Sequence, residues 1–213
     1  FEPAGTSTAA VLEISHIGHC YRNVYPPNYK DASRGGSQSC EVDINCNPEG
    51  NNWQDEKRGV LGMSIATNFG SSWCTASLVN NTSLDCKNYI LSAMHCTESS
   101  TTNNFGQYVF YFNYESSGCG SGNVTTNQTV TGCVLRADSD DGGGNSGSDF
   151  ALMEHTGTIP SNYNRYLNGW NAQTAASTGG VGIHHPAGDR KKISTFTGTL
   201  TTTGWGISNT HWR

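Results

Sequence analysis

Leu91-Ser92-Ala93-Met94-His95-Cys96 and Ser148-Asp149-Phe150-Ala151-Leu152-Met153 are the two stretches on which the reading of this chain turns. In the first, an apolar run enters a turn of small residues that carries a histidine with a cysteine immediately behind it. In the second, an aspartate heads an apolar strand 54 positions after that histidine (149 minus 95). A carboxylate withdrawn from water is costly unless it is paired or receives hydrogen bonds, and orienting an imidazole is one way to compensate it. Each stretch also has a plain reading taken alone. His95 is then a surface histidine beside an ordinary disulfide, and Asp149 a solvated turn residue after a glycine-rich loop.

The residues around these stretches predict strands. Candidate strands are Ala10 to Ile17, Gly59 to Ala66, Cys74 to Val79, Tyr89 to Ser92, Tyr108 to Tyr114, Asp149 to Glu154, Val181 to His184 and Ile193 to Thr201, rich in β-branched and aromatic residues and bounded by Gly, Asn and Ser. No helical period separates them, so a parallel βαβ arrangement is disfavoured and an antiparallel sandwich or barrel is expected. The Thr-rich segment Thr195 to Thr203 reads as exposed strand and turn, and Ser33-Arg34-Gly35-Gly36-Ser37 as a linker with a boundary near Arg34.

Composition narrows the function. Of 213 residues, 34% are hydrophobic and 14% charged, 26 are glycine, and the net charge is -5, so no basic field exists to gather phosphate backbones and nucleic acid is excluded as an expected partner. No apolar run is long enough for a membrane span, and the first 20 residues lack the basic start of a signal peptide. Eight cysteines, at 20, 40, 46, 74, 86, 96, 119 and 133, are spread singly without the paired spacing of structural zinc sites, which points to disulfides and an oxidising, extracellular location.

Set in order, the motifs carry a resemblance. The pattern L-[ST]-A-x-H-C at 91–96 followed by S-D-F-A-L at 148–152 resembles the chymotrypsin-type serine proteases. Cys40-Glu-Val-Asp-Ile-Asn-Cys46-Asn-Pro-Glu-Gly50, Trp53 to Arg58, Cys74-Thr-Ala-Ser-Leu-Val-Asn-Asn81, Tyr111-Phe-Asn-Tyr114 and His184-His185-Pro186 with Lys192-Ile193-Ser194 resemble, more closely, the bacterial lysyl endopeptidases. The matches run from about Cys40 to the end in the family's order, which makes them far more specific than any single tripeptide.

The resemblance implies an all-β protein of two antiparallel Greek-key β-barrels, the trypsin-like serine protease fold, with the second barrel incomplete in this chain. Residues 1–34 are then an N-terminal extension or pro-segment remnant, 35–157 the first barrel with the catalytic His and Asp, and 158–213 the first part of the second. The activity implied is a secreted endopeptidase that cuts protein and peptide substrates after Lys, with Arg as the alternative, and needs no cofactor or metal. His95 matches the general base and acid, Asp149 the residue that orients and stabilises its imidazolium. Trp170 matches a tryptophan beside the substrate cleft, against a plain role in core packing. The nucleophilic serine is expected on a segment beyond residue 213.

Family pairing would join Cys46 to Cys119 and Cys74 to Cys96, each adding roughly 3 kcal/mol by restricting the unfolded chain. Cys40 would bond a cysteine outside the sequence, on a disulfide-linked C-terminal chain or continuation. Cys20, Cys86 and Cys133 lack a family match, and a Cys86 to Cys133 bond is one possible pairing. Other signals weigh less. Ser146 lacks a preceding aspartate and lies three residues from Asp149, too near to approach the imidazole from the other edge. Asp138 to Gly143 resembles a calcium loop without flanking helices, and His16, His19 and Cys20 alternate awkwardly for a metal. His184 and His185 belong with packing and surface. The competing class is a noncatalytic secreted binding or adhesion module on a protease scaffold.

Overall fold

The computed structural model describes residues 37–213 apart from 69, 121–122, 140–146 and 205–206. The expectations placed on residues 1–34, Cys20, Ser146 and most of the acidic loop therefore lie outside the described residues. Within them the strands are β1 (Val42–Asp43), β2 (Val60–Thr67), β3 (Gly70–Val79), β4 (Asn88–Ala93), β5 (Val109–Tyr111), β6 (Thr129–Thr131), β7 (Val134–Asp138), β8 (Phe150–His155), β9 (Gly180–His184), β10 (Lys192–Phe196), β11 (Thr202–Thr203) and β12 (His211–Trp212). One short helix, α1 (Thr102–Phe105), and four one-turn 3-10 segments complete the ordered elements.

Seven strands form one antiparallel sheet in the order β6-β5-β2-β3-β4-β8-β7. Strands β2, β3 and β4 follow one another and β5 returns beside β2, which is the Greek-key order. The sheet must also curl. Its two edge strands, β6 and β7, are joined by Gly132 and Cys133 alone. From 131 to 134 the chain spans at most about 11 Å, whereas opposite edges of a flat seven-stranded sheet stand about 29 Å apart. Only a sheet wrapped into a barrel brings the edges together. Gly132 makes the corner at φ +87°, a backbone conformation that L side chains resist, and a Cβ there would also press on the Gly106 carbonyl at 3.2 Å.

Alternation along the strands fills the barrel. Leu61, Met63 and Ile65 of β2, Ala76 and Leu78 of β3, Ile90 of β4, Phe110 of β5, Val130 of β6 and Met153 of β8 point into one core with Phe105, Tyr108, Phe112 and Ile159. Cross-strand register places Met63 opposite both Phe110 and Cys74, and Ile90 opposite Met153. Cys133 is buried in that core, its thiol against the Phe105 carbonyl at 3.6 Å and Met153 Sδ at 3.7 Å, and burial pushes it up to about 12. Cys86 is exposed. The suggested Cys86 to Cys133 bond is therefore corrected: one sulfur faces the barrel interior, the other solvent, and neither is bridged.

A second sheet, β1-β10-β9, packs against the first, and β11 pairs with β12 separately. The expected single strand over Ile193 to Thr201 ends at Phe196. Between the large sheet and the small one lies a buried ionic cluster that the sequence did not announce. Lys191, fully buried, and Lys57 both donate to the Glu115 carboxylate, at 3.1 and 2.7 Å, and Lys57 donates also to Asn45 Oδ1 at 2.7 Å. Burial pushes the Glu115 carboxyl up, but the two ammonium groups outweigh it and hold it below its ordinary value. His185 lies beside this cluster, stacked on Tyr114 at 5.6 Å between ring centres and edge-on to Trp73 at 6.5 Å. Its Nδ1 donates to the Asp189 carbonyl at 3.0 Å. Complete burial, reinforced by the Lys191 charge, pushes its imidazolium down to about 3.

That burial has a measurable consequence. His185 is held neutral in the fold and titrates at its ordinary value when the chain unfolds, so the unfolded state binds the extra proton between about pH 6.5 and 3. Stability contributed this way is complete above the unfolded value and is lost as pH falls toward 3. Urea unfolding free energies should decline below pH 6.5 by up to about 1.4 kcal/mol per pH unit, and His185→Gln should flatten that slope between pH 6 and 5, above the range in which Glu115 titrates. An unchanged slope in that variant would remove His185 as its source.

Candidate functional site

The site is built where β4 runs out. Small side chains, Ser92 and Ala93, let the strand turn into the 3-10 segment Met94–Cys96, which carries His95. The turn is closed by its own hydrogen bonds, the N–H groups of Thr97 and Glu98 both donating to the Met94 carbonyl at 2.8 and 3.0 Å. It is tied sideways as well: Cys96 is bonded to Cys74 of β3, and Ser92 Oγ donates to the Thr75 carbonyl at 2.8 Å.

Asp149 arrives from the other direction. β8 is antiparallel to β4 with Ala93 opposite Phe150, so the residue before β8 lies beside the residues after β4. A separation of 54 positions in sequence thus becomes one hydrogen bond in space. Asp149 has φ +51°, in the left-handed region that aspartate tolerates better than most residues. In this conformation its carbonyl accepts from the Met94 N–H at 3.1 Å while its carboxylate turns to the histidine. Oδ1 accepts the backbone N–H of His95 at 2.8 Å, and Oδ2 meets His95 Nδ1 at 2.6 Å.

The pair is asymmetric in exposure. The His95 side chain is 48% exposed and that of Asp149 14%. With Nδ1 donating to the carboxylate, the neutral ring carries its lone pair on Nε2. Nε2 approaches Cys96 Sγ at 3.6 Å. A half-exposed imidazole, fixed in one tautomer by a shielded carboxylate, can accept a proton at Nε2 and return it, and the carboxylate stabilises the cation while it lasts.

The two expected bridges are both present, Cys46–Cys119 and Cys74–Cys96. Donor atoms of Cys74, His95 and Cys96 lie within 4.8 Å of one another, but bridged sulfurs are not thiolates and do not ligate a metal as zinc sites require. Cys40 is exposed and unbridged among the described residues. His184 bonds Glu41 at 3.0 Å, and His185 is buried, so both serve packing and surface.

Trp170 sits in the connection between β8 and β9. It is 56% exposed and lies two residues past Asn168, which is clamped to the far end of β3 by bonds to Leu78 and Asn80 at 3.0 and 2.9 Å. The second acceptor role of Asp149, toward the His95 backbone, has no signal in the sequence.

Residues 34–213 match the family described as lysyl endopeptidase, C-terminal domain. A lysyl endopeptidase of Pseudomonas aeruginosa is 31% identical over 189 residues, an alignment that covers 86% of this chain and 39% of the relative, so the chain spans about two fifths of that relative's length. Among solved structures, a thermostable serine protease, AL20, from an extremophilic microorganism superposes with a TM-score of 0.50 at 15% identity, over 74% of this chain and 79% of that one. The protease Anisep from Arthrobacter nicotinovorans superposes with a TM-score of 0.51 at 15% identity, over 81% and 80%. At that identity the two structures speak for the fold, which is the trypsin-like one expected from the motifs.

The carboxylate satisfies two donors at once, and this predicts a stability difference between substitutions. Asp149→Ala leaves both donors without a partner and should lower the unfolding free energy by about 1–2 kcal/mol. Asp149→Asn keeps one carbonyl acceptor for the His95 N–H and should lose less than half as much in chemical denaturation. Equal losses would mean that the backbone bond contributes nothing.

Proposed function

Because the chain belongs to the family of lysyl endopeptidase C-terminal domains, we propose that it supplies the general base and its orienting carboxylate to a secreted serine endopeptidase that cleaves after Lys. The observation that carries this reading is the doubly held carboxylate, Asp149 Oδ2 at 2.6 Å from His95 Nδ1 and Oδ1 at 2.8 Å from the His95 N–H.

In this mechanism Nε2 of His95 takes the proton of a serine hydroxyl as the oxygen attacks the scissile carbonyl. The imidazolium so formed is stabilised by Asp149 and gives its proton to the departing amine. Water then repeats the sequence on the acyl-enzyme. On the family resemblance the serine belongs to a segment beyond residue 213, and exposed Cys40 is the half-bridge that ties such a segment to the barrel. Preference for Lys over Arg rests on the same resemblance, since no carboxylate of a specificity pocket has been assigned among the described residues.

The test uses the full-length protein and a lysyl amide substrate. His95→Ala should abolish labelling by a fluorophosphonate probe, and Asp149→Asn should lower kcat by about 10⁴-fold with little change in KM, because it supports the wrong tautomer. Labelling that survives in His95→Ala would overturn the assignment of the base. Release of a labelled fragment from residues 37–213 only under reducing conditions, after cleavage between them and the serine segment, would support the Cys40 bridge.

A further inference from the structure

An enzyme that cleaves after lysine, the function proposed above, puts its own lysines at risk. Lys57, Lys87, Lys191 and Lys192 are the lysines among the described residues. Three of them are locked into the fold. The side chains of Lys57, Lys191 and Lys192 are 11%, 0% and 12% exposed, the first two bound to Glu115 at 2.7 and 3.1 Å and the third to Asp43 at 2.6 Å. Their peptide groups are held as well. The Lys57 N–H donates to the Trp53 carbonyl at 3.1 Å within the 3-10 segment Glu56–Gly59. The Lys191 N–H donates to the Tyr114 carbonyl at 2.9 Å, and the Lys191 carbonyl, the group a protease must attack, accepts the Ile44 N–H at 3.3 Å. Lys192 lies in β10 between Asp43 of β1 and His184 of β9.

Lys87 is placed differently. Its side chain is 52% exposed, and its partner is the exposed Asp85 at 3.5 Å, a kind of pair that restrains a side chain little. Residues 82–87 are exposed throughout and end where β4 begins at Asn88. Within them Leu84 at φ +51° and Cys86 at φ +57° occupy the left-handed region, which L side chains adopt under strain. A peptide must be drawn out of its local structure to enter a protease cleft, so cutting follows exposure and ease of local opening. This turn gives up strained conformations when it opens. Asn88 is an end that frays: it pairs with His155 of β8, whereas pairing with β3 starts only at Tyr89, opposite Val79.

We propose that the Lys87–Asn88 bond is a self-cleavage site, cut in one copy of the protein by the active site of another to give a two-chain form that stays covalently joined. Water adds across the bond: its hydroxyl goes to the Lys87 carbonyl carbon, a proton to the Asn88 nitrogen, and the C–N bond breaks. That a second copy makes the cut follows from the geometry. Asn88 opens β4 and His95 follows its other end, about 17 Å of strand from Asn88 to Ala93, with β4 fixed between β3 and β8. The bond therefore does not reach the imidazole of its own chain. That the pieces stay joined follows from the bridges. Cys46 and Cys74 precede the cut, and their partners Cys119 and Cys96 follow it. Ile90 stays packed in the barrel core, so the strand that leads to His95 keeps its place.

The test incubates the active full-length protein with full-length His95→Ala protein, which cannot cut itself, and sequences the fragments. Within residues 37–213 the first new N-terminus should be Asn88-Tyr89-Ile90, and fragments of the active protein alone should begin at the same residue. The cut protein should run as one species without reductant and as two with it. Doubling the active protein should halve the half-life of the intact His95→Ala chain. Adding Lys87→Gln to that chain should lengthen the half-life about tenfold or more, because the other lysines require a larger opening. A first cut in 37–213 after Lys57, Lys191 or Lys192, or pieces that separate without reductant, would overturn the proposal. Hydrolysis of a lysyl amide is followed in the same samples. Active protein that hydrolyses the amide yet leaves Lys87–Asn88 intact overturns self-cleavage while the proposed function stands. Protein that fails on the amide brings down both.

Discussion

One antiparallel register governs the molecule. Because Ala93 of β4 stands opposite Phe150 of β8, the turn after one strand and the residue before the other occupy the same corner of the barrel. A slip of one residue in this pairing would reverse which faces point inward along β8, and Ala151 and Met153 are both fully buried. The core therefore fixes the site. Burial of those side chains sets the position of Asp149, and the carboxylate in turn fixes the His95 turn through two bonds of 2.8 and 2.6 Å.

The contact with the second sheet follows a different logic. There the barrel presents a charge and the segment entering the small sheet answers it: Glu115, past β5, receives Lys191, just before β10, at 3.1 Å, while within the small sheet Asp43 of β1 receives Lys192 of β10 at 2.6 Å. Removing one partner of a buried pair leaves an uncompensated ion, which is far worse than never having buried either. Such pairs tolerate little displacement, so they set the orientation of the small sheet on the barrel more sharply than apolar contact does. His185 adds a group pushed down to about 3 by burial and by the neighbouring Lys191 charge.

Much of this was legible because strand-favouring composition and motif order survive in a single sequence. The strands holding Leu61, Met63 and Ile65, or Ala151 and Met153, announce themselves as short apolar stretches bounded by turn-forming residues. β6 and β7 do not. The first has three residues, and the second exposes Val134, Arg136 and Ala137 at a bulge, so neither shows a buried face long enough to read. The ionic cluster was hidden for another reason. Lys57, Glu115 and Lys191 are far apart in the chain and look like ordinary surface residues until the fold gives them one another.

The Cys74–Cys96 bridge links these themes. Its entropic contribution, about 3 kcal/mol for a separation of 22 residues, belongs to the unfolded chain and would be much the same for any comparable loop. Its position is not generic. A bridge elsewhere on β3 would stabilise as much without touching the imidazole, whereas this one sets sulfur 3.6 Å from Nε2. While the bond is intact, neither sulfur is a thiolate that could pair with an imidazolium or hold a metal, and Nε2 keeps its lone pair. The same cross-link that anchors the histidine thus also keeps the two strongest competing ligands in its neighbourhood chemically silent.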